Sequence, residues 1–212
     1  MEPIGSFLKG ERLEVALLQD KIIEIVYSSI EPDALLYGGT AVWRCYGGMR
    51  FSEDIDIYMR NESIEHIIKS LPRHGLSLAW RSKELPSNIR ISNGRTSVLL
   101  EAKEGSAEGI ITQYARVDGS AMTVRAMSPA ELLARKIEAY SGRLLMRDLY
   151  DIFVLTNSLD KNDYAVRSLL IDFIKHIKKP ADEQVLKTLV YSGKSITFGE
   201  FVAYMKRWLN EV

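Results

Sequence analysis

The stretch that decides the fold is residues 34–59, ALLYGGTAVWRCYGGMRFSEDIDIYM. It opens with a short apolar run, which predicts a strand that ends at a Gly-Gly turn. Thr40 is of a type that caps helices, so we predict that it begins a short helix ending at Gly47-Gly48. The stretch closes on Ile55 and Ile57 alternating with acidic residues, which is the period of a strand.

Asp54 and Asp56 are two residues apart on this last strand, so we expect both carboxylates on one face and the isoleucines on the other. Two neighbouring carboxylates repel each other unless a cation or solvent screens them. Carboxylate pairs suit Mg²⁺, which takes its remaining ligands from water and substrate phosphates. The alternative is a solvated strand face at the edge of a sheet.

The turn at Gly38, Gly39 and Thr40 adds a second feature, because a turn leading into a helix presents backbone N–H groups to phosphate. The turn, the short helix and the paired acids are together predicted to form one site that binds phosphate and a metal ion. A third acid, Glu101, ends the apolar run of TSVLLEAKE. It would complete a two-ion site; the alternative is an ordinary surface glutamate at a strand end.

The rest of the chain divides near residue 127. Residues 11–30 have helical periodicity, and residues 76–125 form a run of β-rich segments with a hairpin signal at Asn93-Gly94. Ser128-Pro129-Ala130-Glu131 is typical of a capping box with proline at the first helical position, so we predict that Ser128 caps a helix and that a series of helices begins there. We therefore predict an α/β domain over residues 1–127 with a mixed sheet, and a helical domain over residues 128–212.

The totals of the 212-residue chain describe an ordinary globular protein with 46% hydrophobic residues and a net charge of zero. A uniformly basic nucleic-acid binder is excluded, although a local basic face is not. One cysteine excludes an internal disulfide. We see no signal peptide and no run that could span a membrane, so we expect no membrane partner and a cytoplasmic location.

Residues 37–59 resemble the first two motifs of the AbiEii/AbiGii toxin family within the DNA polymerase β-like nucleotidyltransferases. The matching residues are Gly38, Gly39, Thr40 and Ala41, then Arg50, Ser52, Asp54, Ile55 and Asp56. ELLARKIEAY resembles the family's lysine motif at Lys136. RDLYDIFVL resembles its Arg-Asp-x-x-Asp motif at Arg147, Asp148 and Asp151.

The resemblance implies a polymerase β-like mixed sheet followed by a helical bundle that completes the active-site cleft. It implies transfer of a nucleoside monophosphate from an NTP to an acceptor hydroxyl, with Mg²⁺ in a two-ion site. A toxin of a toxin–antitoxin or abortive-infection system would also have a cognate antitoxin. Because related MenT-type toxins modify the acceptor end of tRNA, tRNA is the first-ranked acceptor.

The resemblance also assigns roles. Asp54, Asp56 and Glu101 would bind metal, and Lys136 would bind the triphosphate. Asp148 or Asp151 would orient Lys136 or act as a base, with Asp148 preferred. The turn and the residues before the strand would contact the nucleotide: Gly38, Gly39, Thr40, Arg50 and Ser52. From its helix alone, Lys136 would be a surface residue that reaches solvent.

Two other functions fit the same residues. The acceptor could be a small molecule, such as an aminoglycoside, or a protein side chain. The chain could also bind nucleotides or a partner without catalysing transfer.

Overall fold

The computed structural model describes residues 2–85, 87–105 and 107–210. The chain divides into two compact units. The first contains residues up to Cys45 and then Phe51–Met127, and the second contains Tyr46–Arg50 and the chain from Ser128 onward. The predicted boundary at residue 127 would assign Tyr46–Arg50 to the first domain, whereas in the structure this short segment belongs to the second unit.

A seven-stranded mixed sheet is the framework of the first unit. Its strands in chain order are β1 (Leu35–Tyr37), β2 (Ile55–Tyr58), β3 (Ser77–Arg81), β4 (Asn88–Ser92), β5 (Ser97–Lys103), β6 (Gly109–Ala115) and β7 (Ala121–Met127). Across the sheet the order is β3-β4-β5-β2-β1-β7-β6. Strand β1 is antiparallel to β2 and parallel to β7, and β2 is parallel to β5. The predicted mixed sheet is confirmed.

Three helices pack against this sheet: α1 (Glu11–Ile25), α2 (Gly38–Cys45) and α3 (Asn61–Ser70). Alternate residues of β2, β4 and β5 are buried, and the residues between them are half-exposed. This alternation is expected when one face of a sheet packs on a core and the other remains accessible. The predicted hairpin at Asn93-Gly94 is also confirmed, because it joins the antiparallel strands β4 and β5.

The described part of the second unit is helical: α4 (Pro129–Arg143), α5 (Met146–Leu155), α6 (Tyr164–His176), α7 (Leu186–Leu189) and α8 (Phe198–Asn210). The hydroxyl of Ser128 accepts a hydrogen bond from the N–H of Glu131 at 3.2 Å, so the predicted cap of α4 is confirmed.

The short segment before β2 belongs to this unit because its residues bond there. Arg50 forms an isolated antiparallel bridge with Val190, and the N–H of Met49 donates to the Tyr150 hydroxyl at 3.1 Å. Within the described residues, no helix has the length and apolar character needed to cross a bilayer.

Candidate active site

The centre of the candidate site is a close approach between the Gly-Gly turn and strand β2. Tyr37 is in register with Asp56 across the antiparallel β1–β2 pair, so the chain leaves β1 directly beside this carboxylate. Gly38 has φ of +73°, and a Cβ built on it would lie 1.9 Å from Oδ2 of Asp56. Only glycine permits both this backbone conformation and this approach. The Asp56 carboxylate therefore lies against the first residue of α2.

Thr40 holds the other aspartate in a way that the sequence did not predict. Helix α2 begins at Gly38 rather than after a cap at Thr40. The fully buried Thr40 hydroxyl donates to the backbone carbonyl of Asp54 at 2.5 Å. In this structure the hydroxyl proton is engaged by the main chain, and the predicted nucleotide contact of Thr40 stays a prediction.

Asp54 lies in a bend immediately before β2, and Asp56 lies within the strand. Both are half-exposed, while Ile55 and Ile57 are fully buried. This burial agrees with the predicted division of the strand into a polar and an apolar face.

Glu101 is the in-register neighbour of Asp56 on the parallel strand β5. In-register residues on adjacent strands point to the same face of a sheet, and the strands lie about 4.8 Å apart. Two half-exposed carboxylates on adjacent positions repel each other, and a cation would relieve that repulsion.

No group of three or more His, Cys, Asp or Glu side chains is arranged to hold a metal ion in the described part of the chain. The predicted set of Asp54, Asp56 and Glu101 is therefore not gathered as a ready three-ligand group. Its chemistry nevertheless fits Mg²⁺, which binds carboxylates from one or two residues and completes its shell with water and phosphate oxygens.

The segment before Asp54 is fixed by Gln19, a residue for which the sequence predicted no role. The buried Gln19 side chain donates from Nε2 to the carbonyls of Ser52 and Glu53, at 2.9 and 3.0 Å. Ser52 thus contributes its main chain to the position of the aspartates, and its predicted nucleotide contact stays a prediction.

In the second unit, Asp151 is a buried carboxylate with two cationic partners. Nε and Nη2 of Arg50 donate to its two oxygens at 2.6 Å each, and Nζ of Lys136 lies 2.6 Å from Oδ2. Burial alone would raise the pKa of Asp151, but Arg50 and Lys136 outweigh it and hold the pKa below its usual value. Arg147, which belongs to the same motif as Asp151, is exposed.

Arg50 was predicted to contact phosphate. That contact stays a prediction, and in the structure the Arg50 guanidinium is bonded to Asp151.

Asp148 is the second buried carboxylate of this cluster. Arg143 donates to both of its oxygens at 2.8 and 2.7 Å, and Nζ of Lys136 lies 3.7 Å from Oδ1. Lys136 is only 7% exposed, so it is not the solvent-reaching lysine of the alternative interpretation. These contacts fit the predicted role of Asp148 in positioning Lys136, and its predicted role as a base stays a prediction.

Comparison with known proteins identifies a family for most of this chain. The model of a family described as the nucleotidyl transferase AbiEii toxin of type IV toxin–antitoxin systems matches residues 23–197. No functionally curated protein matches the chain.

Solved structures with the same fold include two bacterial proteins. MenT4, a nucleotidyltransferase toxin from Mycobacterium tuberculosis, has 16% sequence identity and a TM-score of 0.65, and the match covers 93% of this chain and 82% of MenT4. JHP933 from Helicobacter pylori has 17% identity and a TM-score of 0.64, with 96% and 92% covered. At these identities the similarity shows a shared fold.

Proposed function

Because the chain belongs to the AbiEii nucleotidyltransferase toxin family of type IV toxin–antitoxin systems, we propose that it transfers a nucleoside monophosphate from an NTP to a hydroxyl of tRNA in a Mg²⁺-dependent reaction. The cytoplasm, where NTPs and tRNA occur together, is the proposed location. The proposed protein partner is a cognate antitoxin.

The observation that carries this proposal is the position of Asp56. It lies between Gly38 at the start of α2 and Glu101 on the adjacent strand. Backbone N–H groups at a helix start favour phosphate, and neighbouring carboxylates favour a divalent cation. A nucleoside triphosphate with its magnesium supplies both groups in one ligand.

Asp54, Asp56 and Glu101 would hold the ion, which when bound neutralises charge on the phosphate oxygens. The N–H groups of Gly38 and Gly39 are proposed to donate to phosphate oxygens. In the transfer, a bond forms between the acceptor oxygen and the α-phosphorus. The bond from that phosphorus to the bridging oxygen breaks, and pyrophosphate leaves. The hydroxyl proton passes to Glu101, which is half-exposed.

Lys136 is proposed to bind the triphosphate as a positive charge, with Asp148 and Asp151 as positioning residues for its ammonium group. Lys136→Met should therefore lower NTP affinity. Because the same change leaves Asp151 with one cation fewer, thermal unfolding of the variant must accompany the binding measurement.

The decisive experiment incubates the protein with total tRNA, Mg²⁺ and each α-labelled NTP in turn. We expect label on tRNA with the wild type, none after chelation of the metal, and a loss of at least 100-fold in Asp56→Asn. Asp33→Asn, which changes an exposed aspartate, is the matched control. Undiminished transfer by Asp56→Asn would remove that carboxylate from the mechanism. Label on a small molecule or protein instead would refute the tRNA acceptor.

A further inference from the structure

A groove of about 680 Å³ lies in the first unit, and Asp54 forms part of its wall. One side consists of the β4–β5 hairpin, and the other consists of the start of α1 and the segment that leads into β2. The groove is therefore next to a proposed catalytic carboxylate and is large enough for a substrate portion.

The hairpin side of this groove carries positive charge and hydroxyl groups. It contributes Arg90, Arg95, Ser92, Thr96 and Ser97, and no acidic residue. Among the described residues, neither arginine pairs with a carboxylate; the Arg90 guanidinium makes a 3.5 Å contact to the Ser97 hydroxyl. Guanidinium groups beside hydroxyls, with no carboxylate to neutralise them, suit the oxygens of phosphate groups.

Several arginines elsewhere in the described structure do pair with carboxylates. The paired ones include Arg44, Arg50, Arg60, Arg81, Arg116, Arg135 and Arg143.

The opposite side of the groove carries Glu11, Glu53 and Asp54 together with Arg12, whose guanidinium lies 5.6 Å from the centre of the Phe51 ring. All three acidic residues of the groove thus lie on this side, beside Arg12, while the hairpin side carries only basic charge. An acceptor with phosphates at one end and a free hydroxyl at the other fits this separation, with its hydroxyl end at Asp54.

An aromatic residue outside the groove wall is the cross-strand neighbour of Arg90. Trp80 of β3 is in register with Arg90, and a bulge between Leu78 and Trp80 adds Ala79 to the groove wall. The Trp80 side chain is 50% exposed. An exposed indole next to a phosphate-binding guanidinium is the combination that binds unpaired nucleotides, because every base has a face that can stack.

We propose that this groove is the acceptor subsite and binds the single-stranded end of a nucleic acid. Arg90 and Arg95 hold its phosphodiesters, Trp80 stacks on a base, and the terminal hydroxyl is directed to Asp54. This inference rests on the proposed transfer to tRNA and names the residues that would select an RNA end over a small molecule or a protein.

The test measures binding of a fluorescein-labelled RNA hairpin with a short single-stranded 3′ end by fluorescence anisotropy over a range of salt concentrations. We expect Arg90→Ala and Arg95→Ala each to weaken binding about 5- to 10-fold and to reduce the salt slope by about 0.7. We expect Trp80→Ala to weaken it about 5- to 150-fold with the slope unchanged. Arg90→Lys should retain most of the binding.

The controls are Arg73→Ala and Tyr164→Ala, which remove an exposed arginine and an 85% exposed tyrosine outside the groove. Both should bind the RNA as the wild type does, and thermal unfolding should show all variants folded. A blunt-ended hairpin should bind more weakly than the single-stranded end.

Binding of a fluorescent NTP analogue, measured in parallel, separates this inference from the proposed function. If the wild type transfers label to tRNA and the groove variants still bind RNA normally, the subsite is overturned and the proposed function stands. Normal NTP binding and lost RNA binding in the groove variants would support the subsite. RNA that binds at the groove without any wild-type transfer would refute the function but not the binding site.

Discussion

Oδ2 of Asp56 lies where the β carbon of any residue other than glycine at position 38 would have to be. A β carbon placed on Gly38 would lie 1.9 Å from that oxygen, well inside contact distance. The turn after β1 and the carboxylate of β2 are therefore fitted to each other, and a change at one must move the other.

Gly38→Ala should displace the Asp56 carboxylate and lower nucleotidyl transfer at least 100-fold. Its backbone strain should cost roughly 1–2 kcal/mol of unfolding free energy. Gly75→Ala is the matched control, because Gly75 also has a positive φ of +65° but has open space where a β carbon would be added. Transfer and chemical denaturation should be measured on both. An equal loss of transfer in the two variants would show that strain, and not displacement, is responsible.

Glu101→Gln should lower transfer and raise the Mg²⁺ concentration needed for half-maximal activity. The amide cannot accept the hydroxyl proton and adds no negative charge beside Asp56. Titration of Mg²⁺ in the transfer assay checks this, with the exposed Glu84→Gln as control. If Glu101→Gln matches the wild type over the whole titration, Glu101 is the surface glutamate of the alternative interpretation.

Thr40→Val keeps the shape of the side chain and removes the hydrogen bond to the Asp54 carbonyl. We expect a loss of about 1–3 kcal/mol in unfolding free energy, because a buried acceptor loses its partner. Transfer should fall in Thr40→Val and recover in Thr40→Ser. Failure of the serine variant to recover activity would mean that the hydroxyl does not hold Asp54.

Asp151→Asn should destabilise the protein by roughly 3–5 kcal/mol near neutral pH, because Arg50 and Lys136 lose their buried counter-charge. The pKa of Asp151 is lowered in the folded state, so its stabilisation is present above the ordinary carboxyl pKa of 3.8. That stabilisation is lost as the pH falls through the folded-state value.

The measurement is denaturant unfolding of wild type and Asp151→Asn at pH values from neutral to strongly acid. The difference in stability between them should shrink below pH 3.8. A difference that stays constant into strong acid would show that Asp151 is not ionised in the folded protein.

The sequence predicted those features that depend on neighbouring residues. Alternation of Ile55 and Ile57 with Asp54 and Asp56 predicted the strand, since side chains on a strand alternate between faces. The cap at Ser128 was also predictable, because a capping residue bonds to a backbone N–H three residues away.

Other features depend on residues far apart in the chain, and local patterns carry no signal for them. The hydroxyl of Thr40 suited a helix cap equally well, and only the fold brings it to Asp54. In α1, Leu17 is 46% exposed while Gln19 and Asp20 are buried. Buried polar residues with specific partners, such as Gln19 with the Ser52 carbonyl, override a pattern based on hydrophobicity alone.

Tyr46–Arg50 belongs to the second unit, whereas the residues before and after it in the chain belong to the first, and this has a practical consequence for protein engineering. A cut after Met127 would give two fragments, and Arg50 would be on one and Asp151 on the other. Expressed alone, the C-terminal fragment would bury Asp151 without its counter-ion Arg50. We expect it to be unstable until the N-terminal fragment is co-expressed, which makes this junction a starting point for a split protein reconstituted by association of its halves.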